Sequence, residues 1–320
     1  MNSSSSKLLF CLVHLLDFYA INCMIHSTVM QPSFQYFFNM GKITTIIIVK
    51  KVIGLKIEKV YLKSDKKTVC EDYFVLDEHK GLFAVLDGAT PLSDFVNEQG
   101  VNGAVLASRI VGEVIHNAED ENIQALMSNA NELLLEEMKK YKIDLFKKHE
   151  LWSTCLAMIK MNGQQIDFGQ IGDSMIFAVT KSGNLEVLSK DTVAGISERA
   201  KKQREEERRK GRNLPDEAYF QNKRNSLIYN RSLANKPNGY GVLNGDSAAE
   251  GYFHIGSIKT ENYRGLLLIS DGLFPKDLNW DNMINTIWKD GLQKYALDLV
   301  ECEKSTNSYQ DDKTGIFIRL

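Results

Sequence analysis

No CxxC pair and no cluster of histidines and cysteines occurs in this 320-residue sequence. The five cysteines, Cys11, Cys23, Cys70, Cys155 and Cys302, are odd in number and scattered. That pattern excludes a disulfide framework and a zinc knuckle, and it fits reduced thiols in a cytoplasmic protein. A large excess of either charge is also missing, with 39 lysines and arginines against 41 aspartates and glutamates. A net charge of -2 gives no ground for nucleic acid or an anionic membrane as partner. No apolar run is long enough to span a bilayer. The stretch "KLLFCLVHLLDFYAINCMIHSTVM" opens like a signal peptide, with a lysine and then apolar residues. His14 and Asp17 interrupt it, and no small-x-small cleavage site follows. Residues 1–40 are read as an N-terminal extension of unknown role, disordered or dispensable, because Met40 opens the first stretch of clean strand character.

What is present is an ordinary globular composition, 43% hydrophobic and 25% charged, enough for a sizeable core. From Lys42 to Leu62 β-branched residues dominate. "DYFVLDEHKGLFAVLDG" reads as a hairpin around a polar turn. Helical spacing follows over Val101–Ala118 and again over Ile123–Phe146. Residues 153–189 return to strands, punctuated by the turn signals Asn162-Gly163 and Ser182-Gly183. Lys190–Arg231 contains "ERAKKQREEERRKGRN" and reads as a solvated helix with mixed-sign pairs. Strands are expected at Tyr252–Ile258 and Gly265–Ser270, a helix at Asp281–Cys302, and a last strand in "TGIFIRL". No internal repeat is visible. The order is not the alternation of a parallel doubly wound sheet. It predicts an α+β fold of antiparallel sheets with helices packed outside.

Acids gather at the strand ends: Glu71-Asp72 before "YFVL", Asp87-Gly88 after "LFAVL", Gly172-Asp173 after "IDFGQI", Asp271-Gly272 after "LLLIS", and Asp311-Asp312 before "TGIFI". Each alone is a common turn feature. Together they would repel unless something neutralised them. Hard divalent cations with oxygen ligands do so, and no histidine or cysteine cluster competes. Two such ions sharing a water would aim it at phosphorus.

In order and spacing these blocks resemble the metal-dependent protein phosphatases, the PPM or type 2C serine/threonine phosphatases. "KTVCEDYF", "LFAVLDGAT", "WSTCLAMI", "IDFGQIGDSMIFAV", "LLLISDGLFPKD" and "YQDDKTGIFI" follow the family's order from about residue 57 to the last strand. The resemblance implies a central antiparallel β-sandwich flanked by helix pairs, occupying residues 41–320 with a charged flap at about 190–231. It implies two manganese or magnesium ions, with a third, weaker one in some members. Asp87 would bridge the pair, and Asp271 and Asp311 would hold the first ion. Glu71, through water, and the Gly88 carbonyl would serve the second, with Asp72 in the same acidic pair. Asp173 would help bind the third. Thr314 sets the register that selects Asp311 over Asp312. The implied reaction is direct attack of metal-bridged water on phosphoserine or phosphothreonine of a protein, the target of a serine/threonine kinase, by a monomer.

The sequence also departs from the family pattern. Lys67 stands where an arginine usually grips the substrate phosphate, and lysine offers charge without the bidentate fork. Ala89-Thr90-Pro91 replaces the usual His-Gly-Gly, so the proton donor is unassigned. His79 and His254 are read as surface or packing residues, and Trp152 as a packing residue where glycine is common. These departures keep two alternatives open: a catalytically weak regulatory or binding module that retains the fold, and a hydrolase of small phosphorylated molecules.

Overall fold

Alternation along single strands sorts the core into three layers. In β3, Leu82–Gly88, Phe83 and Val85 face one way and Ala84 and Leu86 the other, and all four are fully buried. Such a run, apolar on both faces, belongs to a strand covered on both sides. The structure is a computed structural model that describes residues 55–119 and 121–320, with three short strand segments before them, Asn39–Met40, Ile43–Thr44 and Lys51–Val52. The reading of residues 1–40 as an extension lies almost wholly outside the described residues, as does much of the β-rich stretch before Leu55.

Ten longer strands follow: β1 Leu55–Leu62, β2 Tyr73–Asp77, β3, β4 Thr154–Asn162, β5 Gln165–Ile171, β6 Met175–Thr180, β7 Leu185–Val187, β8 His254–Lys259, β9 Tyr263–Ile269 and β10 Lys313–Arg319. They form two antiparallel sheets. One runs β8-β5-β4-β3-β2, and the other runs β7-β6-β9-β10-β1 with Lys51–Val52 at its edge. Phe83 and Val85 of β3 and Ala157 and Ile159 of β4 meet Leu266 and Leu268 of β9 and Ile316 and Ile318 of β10 between the sheets. The expected hairpin is present, with Tyr73 opposite Leu86.

Helices cover both outer faces. α1, Gly103–Asn117, and α2, Ile123–Lys140, lay Val111, Ile115, Leu126 and Leu134 on Ala84, Leu86 and Met158. The chain next runs through α3 Ile196–Arg209, α4 Glu217–Phe220 and α5 Lys223–Arg231. α6, Trp280–Asp290, and α7, Leu292–Ser305, lay Met283, Ile287 and Leu292 on Phe177, Leu267 and Phe317. The β-sandwich flanked by helix pairs is thus the observed architecture. No helix among the described residues is long and apolar enough to cross a membrane.

Several boundaries differ from expectation. α1 begins at Gly103 because the Asn102 side chain accepts from the N–H groups of Ala104 and Val105. α2 stops at Lys140, and Phe146 is exposed in the turn beyond it. The stretch expected as one helix to Cys302 breaks at Gly291, whose φ of 91° suits glycine. Strand β8 starts at His254, after a short 3-10 turn over Ser247–Tyr252.

The charged stretch is not one solvated helix but the three helices α3, α4 and α5. Arg204 of α3 is 4% exposed. Its guanidinium pairs with Glu217 at 2.9 Å and lies over the rings of Phe220 and Tyr229. These partners lie 13 to 25 positions away, so charge counting along one helix does not reveal them.

Candidate active site

Strand period delivers the carboxylates to one end of the sandwich. Asp87 lies two residues beyond Val85 and so shares the inner face with Phe83 and Val85. Opposite it, β9 ends at Ile269, and Ser270 leads into a 3-10 turn over Asp271–Leu273. Two glycines permit the close approach this end requires. A Cβ on Gly88 would fall 2.3 Å from the Glu71 carbonyl oxygen and 2.6 Å from that of Ala104. One on Gly272 would fall 1.8 Å from the Asp312 carbonyl oxygen. Both distances are inside van der Waals contact, so only glycine fits.

A cavity of about 220 Å³ opens there. Its floor is formed by Lys67, Asp87, Gly88, Asp173, Asp271 and Asp311. Thr90, Cys155, Leu227, Arg231 and Tyr240 are among its walls. Burial pushes the Asp87 carboxyl well above the usual carboxylate range, and Asp271, Asp72, Asp173 and Asp311 push it further. Burial, with Asp271 next to it, raises Asp173 to about 7. Burial, with Asp311 next to it, raises Asp271 to about 6. Each of these carboxyls therefore releases its proton at a higher pH than a free aspartate does.

Lys67 is not a surface residue. Its Nζ stands 2.6 Å from Asp311 Oδ1, 2.7 Å from Glu71 Oε2 and 3.1 Å from Asp312 Oδ2. Burial opposes the charge, but hydrogen bonds to Asp311 and Glu71 outweigh it and hold the ammonium well above the usual lysine range. Asp311 and Asp312 differ sharply. The Asp312 carboxylate is buried and accepts from the backbone N–H groups of Ser64 at 2.7 Å and Glu71 at 2.8 Å. Asp311 lines the cavity and accepts from the Lys67 ammonium.

Glu71 and Asp72 are brought to the same end but do not line the cavity. Glu71 Oε1 accepts from Asn102 Nδ2 and Oε2 from the Thr90 hydroxyl, both at 2.7 Å. Asp72 accepts from the Ser270 hydroxyl at 2.8 Å. Burial, with Asp312 and Asp271 nearby, raises its pKa to about 8. Among the described residues, no group of three acidic, histidine or cysteine side chains is already arranged to hold an ion. The donor chemistry nevertheless fits a hard divalent cation. Asp72, Asp87, Asp173 and Asp271, all oxygen donors, have pKa values raised by burial and by neighbouring carboxylates, and the Lys67 ammonium is paired with Glu71, Asp311 and Asp312 beside them.

Several residues of this end were not singled out from sequence. Asn102 caps α1 while orienting Glu71, and only its capping role is readable from a local pattern. Thr90, in the segment that departs from the family pattern, also holds Glu71. Buried Lys313 pairs with both Glu303 oxygens, at 2.9 and 2.8 Å, which ties the Asp311 turn to α7. Arg231 enters the cavity from α5. Trp152 is a packing residue, in contact with the rings of Phe95 and Tyr141. His254 rests against Phe168, and neither it nor His79 lines the cavity.

The sequence matches the family described as Protein phosphatase 2C over residues 63–302. This chain belongs to that family. The phosphatase 2C fold is shared with solved structures at low identity. The serine/threonine phosphatase Stp1 from Staphylococcus aureus is 16% identical, with a TM-score of 0.53 over 83% of this chain and 95% of that one. The Mycobacterium tuberculosis serine/threonine phosphatase PstP/Ppp is 18% identical, with a TM-score of 0.52 over 83% of this chain and 98% of that one. No curated protein matches the sequence.

Proposed function

We propose that this phosphatase 2C member hydrolyses phosphoserine and phosphothreonine in proteins, using two manganese or magnesium ions held by the cavity floor. The observation that carries this reading is the set of cavity-lining aspartates, Asp87, Asp173, Asp271 and Asp311, facing one another from two sheets. Asp87, whose carboxyl feels Asp271, Asp72, Asp173 and Asp311, would be shared by the two ions. Asp271 and Asp311 would hold one of them, Glu71 and the Gly88 carbonyl would serve the other, and Asp173 would help hold a third, weaker one. Asp72, bound to Ser270, supports them from behind. When bound, such ions supply a nucleophile from water at neutral pH and charge for the phosphoryl oxygens.

The chain's own residues position the rest. Lys67 holds Asp311 and Glu71 in place and balances part of their charge. Thr90 and Asn102 fix the Glu71 carboxylate by one hydrogen bond to each oxygen. Leu227, Asn230 and Arg231 of α5 line the cavity, so this helix would stand beside a bound phosphoryl group. The substrate is a protein phosphorylated by a serine/threonine kinase. A reducing, cytoplasmic setting accords with Cys70, Cys155 and Cys302 being unpaired.

A second reading, a regulatory module with weak catalysis, is favoured by one feature. Lys67 is fully engaged by carboxylates, so it has no free donor for a phosphate. Manganese-dependent release of phosphate from a phosphothreonine peptide and from an aryl phosphate separates the readings. Turnover of both supports the protein phosphatase. Turnover of the aryl phosphate alone points to a small-molecule hydrolase. No turnover of either, with manganese bound, leaves the regulatory module.

A further inference from the structure

The cavity has a cationic group in its roof that the floor chemistry does not use. Arg224, Leu227 and Arg231 share one face of α5, at the i, i+3, i+7 spacing of a helix. Arg224 donates to the Leu92 carbonyl at 2.7 Å, and Arg231 Nη2 donates to the Thr90 carbonyl at 3.0 Å. These two bonds fasten α5 to the segment immediately after Gly88. Leu227 and Arg231 line the cavity.

The two cations that line the cavity, Lys67 and Arg231, are placed very differently. An ammonium has three donors, and Lys67 meets three carboxylates. A guanidinium has five, and the Thr90 bond uses one of Arg231's. Among the described residues no carboxylate pairs with Arg231. Its planar fork is therefore free to take an oxyanion through two parallel bonds, which a lysine cannot do. An anion seated between a cation-binding floor and this guanidinium would complement both walls.

Building on the phosphatase reading above, we infer that Arg231, on the roofing helix, grips the substrate phosphate in this protein, while Lys67 is held by the carboxylates below. Arg231 thereby takes over the contact usually credited to the position of Lys67. Substrate binding then depends on α5 being seated, because the guanidinium reaches the cavity only while the Thr90 and Leu92 carbonyls hold that helix.

Inorganic phosphate is the direct probe, titrated by calorimetry into the full-length manganese-treated protein. Arg231→Met, Arg231→Lys and Lys67→Met are compared with wild type, with melting curves to verify folding. Arg231→Met is expected to weaken phosphate binding at least about tenfold, the scale of losing charge-assisted hydrogen bonds. Arg231→Lys, which keeps the charge and α5, should recover part of that loss. With a phosphothreonine peptide, Arg231→Met should raise KM by more than it lowers kcat. Phosphate binding that survives Arg231→Met and Arg231→Lys unchanged, or that is absent in wild type, overturns the inference. Phosphate binding that depends on Arg231 in a protein that turns over no peptide upholds the grip and overturns only the phosphatase reading.

Discussion

The Lys67 ammonium and the Asp311 carboxylate, 244 positions apart in the chain, meet at 2.6 Å at the mouth of the sandwich. That contact joins the loop after β1 to the turn before β10. It also shows what balances the acid cluster when only protein groups are counted.

Replacing Lys67 with methionine keeps the stem and removes the counter-charge. Glu71, Asp311 and Asp312 would then face one another without it. Loss of one partner from a partly buried pair costs about 1–3 kcal/mol. The metal-free variant should melt below wild type, and saturating manganese should narrow the gap. Thermal melts with and without manganese check both. An unchanged metal-free melting temperature would mean that the ammonium is not a structural counter-ion.

The raised carboxyls set a pH dependence. In the unfolded chain an aspartate titrates near about 3.9. In the fold, Asp271 titrates near about 6, Asp173 near about 7 and Asp72 near about 8. The folded state thus binds more protons in this window, and stability falls as pH rises. The contribution is fully present below about pH 4 and is lost by about pH 8. A divalent cation replaces those protons, so manganese should raise the melting temperature more at pH 8 than at pH 5.5, by about 5 °C or more. A manganese effect larger at the lower pH would contradict this electrostatic account.

Gly272→Ala is expected to disrupt the site end of the sandwich. The new Cβ would meet the Asp312 carbonyl at 1.8 Å, with no flexible side chain to yield. A cost of about 3 kcal/mol or more follows, at the upper end for overpacking. Chemical denaturation measures it. Gly163→Ala is the control, because nothing lies within 4 Å of its Cβ and only the left-handed φ of 59° penalises it.

Arg204→Ala should release the α3–α5 segment without unfolding the sandwich. It removes the bidentate partner of Glu217 and the cation over Phe220 and Tyr229. Limited proteolysis should cut between residues 196 and 231 at least about tenfold faster, since local opening by about 1.4 kcal/mol is enough. Simultaneous loss of the whole domain would show that this segment does not open independently.

Much of this architecture is written in local pattern. The hairpin at β2 and β3, the glycine turns and the acids closing β3 and β9 are readable because period two and Asp-Gly punctuation are short-range signals. The same alternation that buries Phe83 and Val85 between the sheets aims Asp87. What was not readable depends on distant partners. The Lys67 carboxylates lie up to 245 positions away, and the cage around Arg204 of α3 is built by α4 and α5. Arg231 looks like any helix-end arginine until α5 is folded over the Thr90 segment.

In the proposed function these aspartates serve one metal-dependent hydrolysis. The rate of phosphate release from a phosphothreonine peptide, followed as manganese is titrated, tests it most directly in wild type, Asp87→Asn and Asp271→Asn. Saturable, manganese-dependent turnover is expected in wild type, with a loss of at least about a hundredfold in either variant. Turnover that is indifferent to manganese, or that survives both substitutions, would contradict it.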